Sequence, residues 1–389
     1  MYKLIKSKAM IDGTGNVPIK GGCLLISNGV IEKIGSLEMI GDIPNDTEII
    51  DLTDFYLMPG LIDCHTHLSI IPSQGNQLEQ MRLPASRNIL RSIPNLYTDL
   101  KSGVTTMRIM GEEHYIDVDI RNAINEGFVQ GPRLLLSGIQ IVASNGHGLA
   151  LTASDGEAEI RKLSRQNLAK GADQLKIFVT GGLSSAGGSV NVCSYTKKEI
   201  AVAVEEAERA GKYVAAHAHG GKGVDLCIQE GVRTIEHGAF VTLDQVEKMI
   251  RQDMWIVGTF SILFHPEGIE KTDFSVPSIR EKVLKSRDIV AKTFGEIVKS
   301  GVNIALGTDS MHGFISYELE CLVNFGASNM QAILAITKDA AKACRIDDKF
   351  GTLEKGKIAD FIALSQNPLE NIKYLKNVKS VYKEGTKVI

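Results

Sequence analysis

Two histidines separated by one residue, His65 and His67 in LMPGLIDCHTHLS (57–69), stand in an otherwise apolar segment. On an extended strand residues i and i+2 share a face, so both imidazoles point the same way, together with Asp63. Two imidazoles on one face can bind one metal ion, although a hydrogen-bonded interior pair accounts equally well for this tripeptide alone. Other apolar runs, however, also end in ligand-type side chains. Lys176 lies in GADQLKIFVTGG, where an ammonium flanked by apolar residues is costly without a partner. AAHAHGG carries His217 and His219, TIEHG carries His237, and LGTDS carries Asp309. Core packing does not call for these residue types at separate strand ends. A metal centre does, since imidazole and carboxylate suit Zn²⁺ and related divalent ions.

The elements that must position these groups follow from the hydrophobic pattern. Short apolar runs (LIDCHTHL, GVTTMRIM, RLLLSGI, QLKIFVTG, YVAAHAH, VRTIEHG, MWIVGTF and NIALGTD) alternate with amphipathic stretches at 155–170, 197–211, 241–252, 281–300 and 330–345. Parallel strands joined by helices produce this pattern, and eight of them over about 290 residues predict an α/β fold, a closed (β/α)₈ TIM barrel over 57–354. Inward side chains of several strands converge at the C-terminal ends of such a barrel, where the polar residues fall. Residues 1–56 and 355–389 are β-rich, with SNG as a hairpin turn, and are predicted to pair into a small β-sandwich-like domain.

Composition narrows the function classes. The 389 residues are 43% hydrophobic, and the formal charge is 43 − 46 = −3 without long runs of like charge. Nucleic acid and acidic membrane surfaces are therefore unexpected partners. No apolar run approaches the ~20 residues of a membrane span and the first residues lack the apolar core of a signal peptide, so a cytoplasmic protein is expected. Six cysteines without a CxxC pair suit reduced, mostly buried thiols.

PGLIDCHTHL, Lys176 after GAD, His217 twenty residues before His237, GTDS, and the tail GTLEKGKIADFIAL resemble the amidohydrolase superfamily over essentially the whole chain. GVTTMR, NGHG around His147, ADQLKIFVTGG and RTIEHG resemble its prolidase-like and Xaa-Arg (arginine carboxypeptidase-like) dipeptidases, with imidazolonepropionase-like enzymes further off. The resemblance implies two divalent metal ions, with zinc expected. His65, His67 and Asp309 would bind one ion and His217 and His237 the other, while Lys176, carboxylated by CO₂, bridges them. A carbamate there is chemically reasonable, because it turns a buried amine into an anion with two ligating oxygens. His147 resembles the histidine that contacts the substrate carbonyl or carboxylate, and Tyr195 stands where related dipeptidases carry a substrate-contacting tyrosine. His219 is left as ligand, outer support or substrate contact, and His312, near the mouth, as a substrate contact. His114 and His265 read as loop residues, with the long loop around His265 as a candidate lid. FVTGGLSSAGG reads as an active-site loop.

Such a site implies hydrolysis of an amide, in a peptide or N-acyl amino acid, by a hydroxide shared between the ions, with Asp309 shuttling its proton to the leaving amine. A cyclic amide (imidazolone or hydantoin) or a carbamate is the alternative substrate, and a binding protein without catalysis the alternative class. A deaminase would carry glutamate where Gly220 stands. The substrate is a small molecule or dipeptide. Glu267, Glu270 and Asp273 would favour a basic side chain, and association into a homo-oligomer is open.

Overall fold

The computed structural model describes residues 1–183, 190, 192–272 and 277–389. Asp273 and residues 184–188 of the glycine-rich loop lie outside them. Parallel strands appear where the apolar runs predict them: β1 (Leu61–Thr66), β2 (Val104–Ile109), β3 (Arg133–Leu135), β4 (Leu175–Phe178), β5 (Val214–Gly220), β6 (Thr234–Phe240), β7 (Trp255–Gly258) and β8 (Asn303–Leu306). They form a three-stranded sheet, β1-β2-β3, and a five-stranded sheet, β4-β5-β6-β7-β8. β1, β2, β5 and β7 are buried along their whole length, as expected for strands covered on both faces.

The edges of the two sheets are tied together. Beyond β3, the Ile141 N–H donates to the Lys176 carbonyl at 2.8 Å, and the Ile141 carbonyl accepts from the Phe178 N–H at 2.9 Å. Beyond β8, the Asp309 N–H donates to the His65 carbonyl at 2.7 Å. The chain must be glycine at 307 for that approach, since a Cβ there would lie 2.4 Å from the His65 backbone nitrogen.

Strands from both chain ends share one mixed eight-stranded sheet, in which Glu48–Pro59 pairs with Tyr2–Met10 on one side and Phe361–Leu364 on the other. The SNG turn joins Gly22–Ser27 to Val30–Ser36 with Asn28 at φ 49° and Gly29 at φ 80°, the left-handed pair that matches hairpin twist. Glu48–Pro59 runs past residue 56 and passes through Gly60 directly into β1.

Helices Gly156–Ala169, Lys197–Arg209 and Leu243–Arg251 fall within the spans predicted for them. The last two start on capping boxes, Thr196 with Glu199 and Thr242 with Gln245. The helix predicted over 281–300 begins earlier, at Pro277, a residue suited to a helix start. The helix predicted over 330–345 is two helices, Asn329–Ala335 and Lys338–Ala343. Thr337 leaves helical geometry (φ −126°, ψ −100°), and the Ile336 carbonyl accepts the Ile62 N–H of β1 at 2.8 Å. A carbonyl given to a strand is not available to continue the helix. All six cysteines are free, five of them buried. Among the described residues, no helix is long and apolar enough to cross a membrane.

Candidate active site

The bonded nitrogen of each histidine fixes what its other nitrogen can do. His65 Nδ1 lies 2.7 Å from Glu236 Oε2, and His67 Nδ1 lies 2.8 Å from the Gly111 carbonyl. A carbonyl and an ionised carboxylate accept and do not donate, so both rings carry the proton on Nδ1 and keep a lone pair on Nε2. Those two Nε2 atoms lie 3.6 and 3.9 Å from Asp309 Oδ1. His237 Nδ1 meets Thr259 Oγ1 at 2.7 Å. His65, His237 and Asp309 offer ligand atoms within 4.8 Å of one another. The His217 and His219 rings lie 4.7 and 5.2 Å from that of His237, centre to centre.

Three of the nine non-glycine residues with left-handed backbone among the described residues lie here. In a regular strand Glu236 and His237 would face opposite ways, but His237 is left-handed (φ 71°), and both side chains reach the His65 ring. Asp309 and Ser310 are also left-handed, at φ 49° and 72°. Such conformations persist where the surroundings over-determine them, commonly at functional sites.

Lys176 is wholly buried, and its Nζ has no hydrogen-bond partner among the described residues. Burial lowers its pKa to about 8, against the opposing pull of Glu236 and Asp309. Burial likewise holds His65, His217 and His237 well below the usual histidine range and His67 and His147 at about 4, with the Lys176 charge adding to each. These imidazoles are neutral near pH 7, the form that ligates metal. Burial raises Asp309 to about 6, while Lys176 pulls it back. Neutral imidazoles and a carboxylate around an unsatisfied buried amine are a donor set that fits divalent ions.

The donors open on a cavity of about 370 Å³, lined at one end by six histidines (65, 67, 147, 217, 219 and 237) and Asp309. His147 and His219 each have a buried Nδ1 without a hydrogen bond among the described residues. Buried acids pin the loops that frame this cavity. Glu112 accepts from the Leu68 and Ser69 N–H groups after β1, and Glu318 accepts from the Phe260 and Ser261 N–H groups after β7 at 2.6 and 2.7 Å.

Two of the predicted substrate contacts are placed elsewhere. The Tyr195 hydroxyl donates to the Ser154 carbonyl at 2.9 Å, and the residue is buried outside the cavity lining. His312 spends Nδ1 on Asp99 at 2.7 Å and Nε2 near the Ile70 carbonyl at 3.1 Å. Burial opposes its protonation, yet the Asp99 carboxylate carries its pKa above the ordinary value. Neither ring nitrogen is left for substrate. Glu267 pairs with Lys271 at 2.6 Å and Glu270 with Arg287, and neither acid lines the cavity. His265 packs on Phe314 and Tyr317, whereas its loop does reach the cavity through Ile262, Leu263 and Ile269.

Two residues of the site escape the sequence pattern. Arg108 and Glu236 are fully buried and paired, with Nη2 at 2.8 and 2.9 Å from the two carboxylate oxygens, and Arg108 Nε also donates to the Cys64 carbonyl at 2.5 Å. The available signal is a pair of opposite charges in apolar runs, TTMRIM and RTIEHG, each needing a partner on burial. Glu236 thus orients His65 through its Nδ1 proton. Glu236→Gln is expected to weaken zinc binding by about 10–100-fold, measured by competition with a chromophoric chelator. Unchanged affinity with a lowered melting temperature would mean that Glu236 only holds the fold.

Parallel strands joined by helices, with six histidines and Asp309 lining one cavity, define a class of α/β enzyme. Residues 56–388 match the amidohydrolase family, and the chain belongs to it. Ochratoxinase of Aspergillus niger is 29% identical over 418 residues, covering 97% of this chain and 84% of that protein. Imidazolonepropionase of Brevibacillus brevis is 24% identical over 408 residues, covering 95% and 91%. A crystal structure of a Xaa-Pro dipeptidase with bound methionine in the active site matches at TM-score 0.90 and 32% identity, over 100% of this chain and 99% of that one. Like these enzymes, the chain is a hydrolase acting on C–N bonds.

Proposed function

We propose that the protein is a two-metal hydrolase that cleaves the amide bond of a dipeptide or N-acyl amino acid. The observation that carries this reading is the buried Lys176 amine, without a hydrogen bond among the described residues, whose charge acts on His65, His67, His217, His237 and Asp309. The edge ties between the two parallel sheets support a single (β/α)₈ barrel over 57–354, and the shared end sheet supports a small domain of 1–56 and 355–389. His65, His67 and Asp309 would hold one ion and His217 and His237 the other, with Lys176 between them as its carbamate. Carboxylation adds the neutral amine to CO₂ with loss of one proton, and the lowered pKa keeps more of the amine in that form. When bound, the ions, zinc by expectation, supply an acidified water and a polarised carbonyl.

The chain's own groups do the rest. Asp309, a carboxylate poised near neutrality, takes the proton of the attacking water and returns it to the leaving amine. His147, with its unpaired Nδ1 at the cavity, bonds the substrate carbonyl or carboxylate, and His219 is placed to assist it. The likeness to imidazolonepropionase favours a second reading, hydrolysis of a cyclic amide.

Metal analysis of the purified protein tests the proposal, together with a screen of dipeptides, N-acyl amino acids and cyclic amides before and after chelation. About two divalent ions per chain and activity that chelation removes and zinc restores are expected. At most one ion with no amide cut would sink it.

A further inference from the structure

Besides the histidines, the cavity is lined by several apolar side chains that follow β7 in the chain. Ile262 and Leu263 come from the short helix Ser261–Phe264 after β7, Ile269 from the short helix Ile269–Thr272, and Ile279, Val290 and Phe294 from the helix Pro277–Ser300. Phe294 is locked edge-on against Phe260, another lining residue, at 4.6 Å between ring centres, and Phe260 packs likewise on Phe325 at 5.0 Å. The wall is therefore a preformed aromatic and aliphatic surface.

A charge on the same helix, the Lys282 ammonium, is held by the Gly182 carbonyl at 2.7 Å and acts on His147 and His219. Among the described residues, no lysine, arginine or glutamate lines the cavity, and Asp309 sits with the histidines. Two of the three acids expected to select a basic substrate, Glu267 and Glu270, are engaged by Lys271 and Arg287, and the Arg287 side chain also donates to the Leu263 carbonyl at 2.8 and 2.6 Å. Seating an ammonium or guanidinium against this wall would desolvate it without a partner, whereas a phenyl or branched aliphatic group gains by leaving water.

We propose that the enzyme selects amides whose group on one side of the scissile bond is bulky and apolar, aromatic or branched aliphatic, and that Val290 and Phe294 set this specificity. The proposal rests on reading the site as an amide hydrolase and names its substrate class.

The test is kcat/KM of the zinc-loaded wild-type enzyme on two matched series, dipeptides and N-acyl amino acids, varied at one position at a time through phenylalanine, leucine, alanine, arginine and glutamate. At one of the positions, phenylalanine or leucine is expected to exceed alanine by at least about tenfold, and arginine and glutamate by more. An arginine or glutamate member that equals or betters phenylalanine at every position overturns the proposal. Val290→Ala is expected to lower kcat/KM several-fold more for the leucine member than for the alanine member, and an equal loss on both would overturn the assignment of Val290. If no amide is cut, the amide reading fails. The wall is then judged by calorimetry with phenylacetate, acetate and 4-guanidinobutyrate, where tightest binding of phenylacetate upholds it and equal binding overturns it.

Discussion

Replacing Asp309 by asparagine is expected to lower kcat by about 10²–10⁴-fold, the usual contribution of a positioned proton-transfer group, with KM changed by no more than a few-fold. Asp309 lies within 4 Å of the inward nitrogens of His65 and His67, partly buried, on a left-handed backbone that the tie to the His65 carbonyl holds in place. Asparagine preserves the shape and one ligating oxygen but cannot accept the proton of the attacking water. Metal content measured by emission spectroscopy should therefore fall less than turnover. The wild-type kcat/KM should also show an acid limb. Burial raises the metal-free carboxyl to about 6 and bound cations shift it downward, so activity falls as pH drops through a value below that of the metal-free group. An asparagine variant that keeps more than about a tenth of wild-type turnover would remove Asp309 from the proton-transfer role.

Replacing Lys176 by methionine should separate function from stability with opposite signs. Methionine matches the stem of lysine in size and carries no charge, so it suits an interior where the ammonium makes no hydrogen bond among the described residues and meets the Phe178 ring at 4.9 Å. Without metal, burial holds the folded-state pKa of Lys176 below its ordinary value of about 10.5, at about 8. The folded state thus disfavours the protonated form, and the penalty, on the order of 3 kcal/mol, is complete below the folded pKa and disappears as pH rises towards the unfolded value. Lys176→Met is expected to abolish hydrolysis, to reduce bound metal, and to stabilise the metal-free protein at about pH 7, with the gain shrinking by about pH 10. Denaturant unfolding in chelator and CO₂-depleted buffer measures this. A destabilised variant at neutral pH would show that the amine has a protein partner, and a variant that still turns over would remove Lys176 from the site.

Much of the site can be read along the chain because its chemistry is written in residue types that a core does not use. Paired histidines, a lysine and an aspartate at the ends of separate apolar runs stand out, since burying them without partners is costly. The parallel strands are legible for a related reason: strands covered on both faces become short apolar runs, and the helices between them keep an amphipathic period. Helix breaks are less visible. The interruption at Ile336 and Thr337 comes from a hydrogen bond to Ile62, more than two hundred residues earlier. The helix Ala85–Lys101 likewise contains Pro94, a residue that argues locally against it.

By itself, the sequence determined the alternation of strands and helices, the ligand-type residues and their order, because these depend on local periodicity and on the cost of burying polar groups. Partnership was decided only in three dimensions. Nothing in the string tells that Glu236 and Arg108 meet behind His65, that Asp99 and a carbonyl occupy both nitrogens of His312, or that Ser154 holds the Tyr195 hydroxyl. The same holds for Glu267 and Glu270, which read as selectors of basic substrates until Lys271 and Arg287 are seen to engage them. Whether a polar side chain is available for chemistry depends on which groups surround it, and most of those come from distant parts of the chain.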